Sequence, residues 1–197
     1  MIDVSRETYQ KLEAYAQLLT TWTKKINLIS ASSVPDLWKR HIEDSVQLYN
    51  LGPPEWRRWL DLGSGGGLPG LVIAILADNN PDREVVLVES DARKCAFLRS
   101  ALRETGTSAR VVHGRIERLD PFSADVVSAR ALASLTDLLG YAERHLSAGG
   151  TALFLKGQKA HAEIDEALER WTFACENHPS ETDASGVILS IGDVKRA

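Results

Sequence analysis

The sequence has few of the residues and segments that mark secreted, metal-dependent or membrane-spanning proteins. Its two cysteines, Cys95 and Cys175, lie far apart and form no CxxC pair, so they predict reduced thiols rather than a disulfide framework or a zinc site. The five histidines are scattered, and we expect no metal. Residues 1–6 lack the basic and apolar regions of a signal peptide, and no apolar run is long enough for a bilayer span. These absences predict a cytoplasmic protein without a membrane segment.

An excess of positive charge is also missing. The formal net charge is −4, which argues against a protein that grips nucleic acid through its overall charge, although local basic patches remain possible. Hydrophobic residues make up 44% and charged residues 25% of the 197 residues, as in ordinary globular proteins. This length suits one domain with a sizeable core and a short appendage. We expect a monomer.

The sequence divides into a helical N-terminal segment and an α/β body. Residues 1–52 carry apolar side chains at helical spacing, and Pro35 is placed to open a second helix. Gly52-Pro53-Pro54 is the clearest break in the pattern. We therefore predict a helical N-terminal extension over 1–52 and one compact body over 53–197. The first helix should present a single apolar face, made of Leu12, Tyr15, Leu18, Leu19 and Trp22.

The body alternates short β-type runs with helical ones. This alternation predicts a mostly parallel, seven-stranded sheet with helices on both faces. The last two strands can form an antiparallel hairpin at one edge, and Gly106 is expected to close the second helix of the body. The predicted strands are one ending near Leu62 and those at 84–88, 109–113, 124–128, 151–155, 170–176 and 186–192.

The most informative stretch runs from Asp61 to Gly70 and contains five glycines. It lies between a strand ending near Leu62 and the apolar run 71–76, so it forms a strand, a glycine turn and a helix. Glycine allows sharp backbone turns and lets a ligand lie against bare main chain. This unit predicts a nucleotide-binding site.

Two acidic residues bear on which cofactor this turn holds. The spacing Gly65-x-Gly67-x-x-Gly70 matches the dinucleotide pattern, so NAD is one candidate. Asp61, directly before the turn, would repel a pyrophosphate but attract the amino group of S-adenosylmethionine. Glu89, at the end of the second strand, can accept hydrogen bonds from ribose hydroxyls in either cofactor. The pattern therefore favours S-adenosylmethionine, with Asp61, Gly65 and Glu89 as binding residues, and leaves NAD open.

Two later segments also reach the carboxyl edge of the predicted sheet. In the loop Gly114–Glu117, Ile116 can cover an adenine ring; the equal alternative is a surface turn with a buried isoleucine. Arg130 ends the fourth strand and can hold a cofactor carboxylate or an RNA phosphate, the alternative being a surface ion pair.

Further candidates for RNA contact lie before and after the central strands. Arg40, His41 and Ser45 lie close together on one helix, and His41 and Ser45 share a face. They predict either an RNA-binding face or a polar network that ties the extension to the body. Lys156 ends the fifth strand, and we predict that it contacts the RNA backbone.

These motifs, in this order, resemble one known family, that of ribosomal RNA small subunit methyltransferase G, also called glucose-inhibited division protein B. The resemblance covers about residues 15–160. The segments that carry it are Trp22 with Ile26-Asn27-Leu28, Arg40–Ser45, Asp61–Gly70, Val88-Glu89-Ser90, Arg93-Lys94, Phe97-Leu98-Arg99, Arg115-Ile116-Glu117, Arg130–Leu135 and Lys156-Gly157.

The resemblance implies a Rossmann-like class I methyltransferase that transfers a methyl group from S-adenosylmethionine to N7 of a guanine in 16S rRNA. The implied target is guanine 527 in the 530 loop, and we expect the protein to prefer a 30S particle over naked RNA because it is acidic overall. Residue matching implies cofactor contacts at Gly63, Leu68, Ile116, Glu117 and Arg130. Many members have serine before the matching arginine, where this chain has Ala129.

Methyl transfer to guanine N7 requires that the reactants be aligned, and it does not require acid–base catalysis. N7 of guanine carries a lone pair and no proton, so we expect no catalytic acid or base and no metal. Two alternatives stay open: a ribosome-associated binding module without activity, and an NAD-dependent oxidoreductase.

Overall fold

The computed structural model describes residues 2–197. Its helical N-terminal segment begins with α1 (Arg6–Thr23), where the Ser5 hydroxyl caps the helix by accepting the Thr8 N–H at 3.1 Å. A short 3₁₀ turn follows at Ala31–Ser33. The second predicted helix opens as a π-helical stretch, Trp38–Glu43, which runs directly into α2 (Asp44–Asn50). The predicted helical character of this segment is confirmed.

The rest of the chain alternates strands and helices as predicted. Its elements are β1 (Arg58–Leu62), α3 (Gly70–Ala77), β2 (Glu84–Glu89), α4 (Ala92–Thr105), β3 (Arg110–His113), β4 (Ala124–Arg130), α5 (Leu135–His145), β5 (Leu146–Lys156), α6 (Ala160–Leu168), β6 (Trp171–Pro179) and β7 (Val187–Arg196). Gly106 closes α4 in the left-handed conformation, with φ +60°, as expected.

The strands form one seven-stranded sheet in the order β3-β2-β1-β4-β5-β7-β6. The first five in this order run parallel, and β7 pairs antiparallel with both β5 and β6. The prediction of a mostly parallel sheet with an antiparallel hairpin at one edge is confirmed. Because the chain order reverses between β1 and β4, their carboxyl ends form the crevice where α/β sheets bind ligands.

Helices cover both faces of the sheet, and strand alternation decides which side chains each face receives. Trp59 packs with α1 to α4 on one face, whereas Leu60 and Leu62 pack with α5 on the other. We call these the α1–α4 face and the α5–α6 face. Leu12, Tyr15 and Leu19 of α1 are fully buried in the core of the α1–α4 face. The proposed domain boundary after residue 52 stays a prediction.

Element bounds differ from expectation mainly in β5. The sequence predicts a turn at Gly149-Gly150 before a strand at 151–155, but β5 begins at Leu146, immediately after α5. Gly149 adopts φ +77° inside this strand, and the pairing with β4 shifts register between Ala124 and Val126. The glycines therefore form an irregularity in a longer strand instead of a turn before it.

Within residues 2–197, no helix combines the length and the apolar character needed to cross a membrane. In the same part of the chain, no group of three or more His, Cys, Asp or Glu residues is arranged to hold a metal ion.

Candidate active site

The glycine loop after β1 has a conformation that needs its glycines. Gly63, Gly65 and Gly67 adopt φ values of +64°, +54° and +86°, which other residues rarely tolerate. At Gly70, a Cβ atom would lie 2.5 Å from both Asp61 Oδ2 and Leu87 Cδ2. The first three glycines shape the loop, and the fourth lets α3 begin directly against the sheet.

Asp61 is fully buried beneath this loop. Its Oδ1 accepts the Ser128 hydroxyl at 2.7 Å, and Ser128 Oγ accepts the indole N–H of Trp59 at 2.9 Å. Its other oxygen, Oδ2, is buried against Gly70, whose N–H lies close to the carboxylate without forming a well-aligned hydrogen bond. Burial raises the pKa of Asp61 to about 6, although the Ser128 and Ser64 hydroxyls and the Gly70 N–H oppose this shift. A buried carboxylate with spare accepting capacity suits a ligand that donates hydrogen bonds or carries positive charge.

Glu89 connects the end of β2 to the glycine loop. Its carboxylate accepts the Gly65 N–H at Oε2 and the Asp91 N–H at Oε1, each at 2.8 Å. Each carboxylate oxygen keeps a second lone pair that can accept a further hydrogen bond. The Gly114 N–H donates to the Glu89 carbonyl at 3.0 Å, which brings the loop after β3 beside this acid.

Arg130 enters the same crevice from the end of β4. Its Nη2 donates to His41 Nδ1 at 2.5 Å and to the Arg40 carbonyl at 3.2 Å, whereas its Nη1 is buried without a partner. Burial lowers the pKa of Arg130 and the nearby Asp44 opposes this, but a guanidinium stays charged at neutral pH. An unpartnered N–H on a buried cation fits an anionic ligand group.

His41 belongs to a polar network between the π-helical stretch and β4. Because Arg130 can only donate, His41 Nδ1 must accept, and the proton on Nε2 then goes to Ser33 Oγ at 2.9 Å. Burial and the adjacent Arg130 lower the pKa of His41 to about 4, so the ring is neutral. These hydrogen bonds form a polar network that ties the π-helical stretch to β4, and a role of His41 in RNA binding stays a prediction.

The prediction that Ser45 belongs to an RNA-binding face needs a correction. It is 1% exposed, and its hydroxyl donates to the His41 carbonyl at 2.6 Å. The spacing of four residues placed Ser45 on the face of His41, but that face points inward. Ser45 supports the helix and does not present a hydroxyl to RNA, whereas the Arg40 side chain is exposed.

The prediction that Lys156 contacts the RNA backbone also needs a correction. Only 8% of its side chain is exposed, and its ammonium donates to Glu163 Oε2 at 2.7 Å and to the Ala133 carbonyl at 2.8 Å. The position of Lys156 at the end of β5 does not by itself fix its direction, because successive side chains of a strand point to opposite faces. Leu153 and Leu155 pack on the α1–α4 face, so Lys156 points to the α5–α6 face, away from Arg130. In this arrangement it does not offer its charge to a phosphate.

The remaining predicted residues lie around the crevice. Leu68 is 8% exposed and packs in the core of the α1–α4 face, at the end of the glycine loop. Ile116 is also 8% exposed but packs in the core of the α5–α6 face, and its carbonyl accepts from His145 Nε2 at 3.2 Å. Glu117 is exposed, 3.8 Å from Arg115. The roles of these three residues in cofactor binding stay predictions.

The structure also shows polar residues at the site that the sequence interpretation missed. Ser128 and Trp59 orient Asp61, and the hydroxyl of Tyr15 donates to the Gly66 carbonyl at 2.5 Å. A serine inside the apolar strand run at 126–129 was a signal, because a buried hydroxyl needs a partner. Tyr15 gave no such signal, since a tyrosine on the apolar face of a helix is usually part of the core.

Solved structures of methyltransferases share this architecture. The chain is similar to a methyltransferase from Geobacter sulfurreducens, with a TM-score of 0.64 and 14% identity over 97% of this chain and 92% of that one. It is also similar to a SAM-dependent methyltransferase from Aquifex aeolicus, with a TM-score of 0.62 and 11% identity over 80% of this chain and 93% of that one. At such identities the likeness concerns the fold, and it confirms the predicted Rossmann-like class I methyltransferase architecture.

Sequence comparisons are more specific. A profile of the family described as rRNA small subunit methyltransferase G matches residues 8–185. The chain is 52% identical to the ribosomal RNA small subunit methyltransferase G of a Ruegeria species, over 99% of this chain and 95% of that protein. It is 50% identical to the protein of the same name from Gluconobacter oxydans, over 100% and 99% of the two chains. The resemblance found in the sequence is thereby confirmed, and the chain belongs to the rRNA small subunit methyltransferase G family.

Proposed function

We propose that this protein is an S-adenosylmethionine-dependent methyltransferase that modifies N7 of a guanine in the 530 loop of 16S rRNA, guanine 527 by family resemblance. Family membership supports the reaction class, and the site supports the cofactor. The observation that carries the proposal is that two buried polar atoms at the ends of the neighbouring strands β1 and β4, Asp61 Oδ2 and Arg130 Nη1, lack a well-formed hydrogen bond. The Asp61 oxygen suits a cationic donor and the Arg130 nitrogen suits an anionic acceptor. The methionine part of the cofactor has both, as its ammonium and its carboxylate group.

Different residues of the crevice would bind different parts of the cofactor. Asp61 would accept from the ammonium group, Arg130 would hold the carboxylate, and Glu89 would accept from ribose hydroxyls. The backbone at Gly63 and Gly65 leaves room for close approach of a ligand. Following the family resemblance, Leu68, Ile116 and Glu117 complete the cofactor contacts.

The chain needs to orient the reactants more than to move a proton. When bound, S-adenosylmethionine supplies an electrophilic methyl group on a sulfonium centre, which guanine N7 can accept through its lone pair. His41 is neutral but already accepts from Arg130, so it is not a free base. The buried carboxylates at the crevice favour positive charge, which passes to the guanine ring during transfer.

Several exposed cations lie near this crevice even though the protein is acidic overall. Arg40 is exposed beside Arg130, and Lys24, Lys25 and Arg93 are exposed as well. Trp22 packs on Phe97 with ring centroids 5.5 Å apart, so the end of α1 lies beside α4, whose first residues follow the carboxyl end of β2. We propose that these cations contact RNA phosphates, and that the net charge of −4 makes a preassembled 30S particle a better substrate than naked RNA. A monomeric, cytoplasmic protein remains our expectation.

Transfer of a tritiated methyl group tests the proposal. The full-length protein is incubated with labelled S-adenosylmethionine and 30S particles from a strain that lacks the modification, and the RNA is cleaved chemically at N7-methylguanine. We expect one break in the 530 loop and weaker labelling of protein-free 16S rRNA.

Two results would overturn the proposal in different ways. Cofactor binding by calorimetry without methyl transfer would favour the ribosome-associated binding module. No binding of S-adenosylmethionine together with clear binding of NAD would favour the oxidoreductase.

A further inference from the structure

One side chain outside the α/β body holds a peptide unit of the glycine loop. Tyr15 of α1 is fully buried, and its hydroxyl donates to the Gly66 carbonyl at 2.5 Å. Burial raises the pKa of Tyr15 well above its usual value, so the phenol keeps its proton and can donate. The bond joins residues that are 51 positions apart in the sequence.

The same peptide unit is held on its other side by the loop itself. The Gly67 N–H, which shares this peptide plane with the Gly66 carbonyl, donates to the Ser64 carbonyl at 2.6 Å. The plane lies between two glycines, where rotation meets little steric resistance. Two hydrogen bonds, one at each end of the plane, therefore select one orientation out of several that the chain permits.

Within residues 2–197, the Tyr15 hydroxyl is the one group that donates a hydrogen bond to the Gly66 carbonyl. A Cβ atom at Gly66 would lie 3.2 Å from Leu19 Cδ1 and 3.3 Å from the Leu28 carbonyl. At Gly67 a Cβ atom would lie 3.1 Å from the Tyr15 hydroxyl itself. Apart from this hydroxyl, the atoms that crowd the two glycines are apolar carbons and one carbonyl oxygen, none of which donates a hydrogen bond.

We propose that Tyr15 is a positioning residue for cofactor binding. Its hydroxyl fixes the Gly66–Gly67 peptide so that the loop keeps the shape in which Gly65 meets Glu89 and Asp61 lies under the bare backbone. This inference rests on the proposed function, because the loop is taken to hold S-adenosylmethionine. It makes the N-terminal helix part of the cofactor site, although no residue of that helix needs to touch the cofactor.

Removal of the single hydroxyl tests this directly. Binding of S-adenosylhomocysteine is measured by calorimetry on the full-length protein, on Tyr15→Phe and on Tyr9→Phe. Tyr9 lies on the same helix, is 39% exposed and packs on Trp38, so its variant is a matched control. We expect Tyr15→Phe to raise Kd roughly five- to twentyfold, as for a buried carbonyl that loses its donor, and Tyr9→Phe to change Kd less than about twofold.

A second measurement separates positioning from helix docking. Leu12→Val loosens the packing of α1 without touching the loop, since Leu12 is fully buried in the same core. Amide hydrogen exchange is followed in the ligand-free proteins. Tyr15→Phe should speed exchange at Gly67 by about tenfold relative to neighbouring core amides, whereas Leu12→Val should not single out Gly67.

The outcomes distinguish this inference from the proposed function. If the unaltered protein binds no S-adenosylmethionine or S-adenosylhomocysteine, both fail. If it binds them and Tyr15→Phe binds as well, the role of Tyr15 is wrong and the proposed function stands. Equal losses of affinity in Tyr15→Phe and Leu12→Val, at equal loss of thermal stability, would also overturn the role of Tyr15.

Discussion

The two faces of the sheet use similar side chains for different purposes. On the α1–α4 face, Asp61 and Arg130 each keep a buried atom without a well-formed hydrogen bond, and both lie at strand ends that border the crevice. His145 Nδ1 in α5 is unpartnered too, but it lies away from those strand ends. On the α5–α6 face, Lys156 and Glu163 satisfy each other at 2.7 Å, and Glu163 also accepts the Leu135 N–H at 2.8 Å. A charged residue at the end of a strand is therefore not by itself a sign of function. Its face, and whether its hydrogen bonds are already satisfied, are more informative.

The largest contrast is expected between the two cations at neighbouring strand ends. Arg130→Met removes the unpartnered donor, so the free energy of cofactor binding should weaken by about 2–3 kcal/mol. This corresponds to a loss of affinity on the order of 100-fold, and turnover should fall with it. Lys156→Met should instead cost about 1 kcal/mol of unfolding free energy, because Glu163 is a quarter exposed and water replaces part of the pair. Methyl transfer and chemical denaturation measure the two effects. A large loss of cofactor affinity in a folded Lys156→Met protein would contradict the comparison.

Two glycines, one on each face, should respond to alanine with opposite signs. Gly70→Ala places a Cβ atom 2.5 Å from Asp61 and Leu87, so we expect about 2 kcal/mol of destabilisation. Gly140 lies inside α5, where a Cβ atom would meet only Trp171 at 3.7 Å. Gly140→Ala should stabilise the protein by about 0.5–1 kcal/mol, because alanine favours the helix. Urea denaturation checks both values, and destabilisation of similar size in both variants would refute the argument.

The buried Asp61 should make cofactor binding depend on pH. Its pKa is raised from 3.8 to about 6, so the carboxylate loses its charge as the pH falls through 6. Affinity for S-adenosylhomocysteine should drop about tenfold between pH 7 and pH 5, since only about a tenth of the groups stay ionised at pH 5. Asp61→Asn should bind weakly at both values and lose this dependence. Calorimetry at the two pH values measures it, and an unchanged pH dependence in Asp61→Asn would assign it to another group.

The same shift has a defined sign for stability. Because the folded pKa lies above the unfolded value, protonation favours the folded state. The contribution of Asp61 to stability is fully present below about pH 4 and is lost as the pH rises through 6. Asp61→Asn should remove this contribution to the pH dependence of unfolding.

The smallest effects should separate two neighbours on the α1–α4 face. Arg40→Ala removes an exposed cation, so RNA binding should weaken by a few-fold and the dependence of log K on log salt should become shallower by about one. Ser45→Ala removes only a buried hydroxyl, so it should leave RNA binding unchanged and reduce stability by about 1 kcal/mol. Filter binding across a salt series compares the two. A shallower salt dependence in Ser45→Ala would show that the helix presents a different face to RNA.

Local features of the fold were predictable from the sequence. The glycine loop, the alternation of strands and helices and the closing residue Gly106 all follow from backbone preferences and hydrophobic period, which act over a few residues. The edge hairpin was predictable as well. The bounds of β5 were not, because Gly149 and Gly150 lie in a strand whose pairing with β4 outweighs their preference for turns.

The candidate site was predictable only in part. Asp61, Glu89 and Arg130 follow from the rule that ligands bind at the carboxyl ends of parallel strands. Ser45 and Lys156 were misplaced because helical spacing and strand position do not say which face points inward. For Lys156 the sequence does hold this information, because the alternation of side chains along β5 puts it on the face opposite to Leu153 and Leu155.

The sequence by itself determined the order of elements, the glycine loop between β1 and α3, and which strand ends carry polar residues, because each depends on neighbours along the chain. Only the tertiary structure decided which of those residues meet. The register of β1 with β4 sets Ser128 beside Asp61, and the packing of the N-terminal helices brings Tyr15 to Gly66 and His41 to Arg130. These contacts join residues more than 50 positions apart, so they depend on how buried surfaces fit together and not on any local preference.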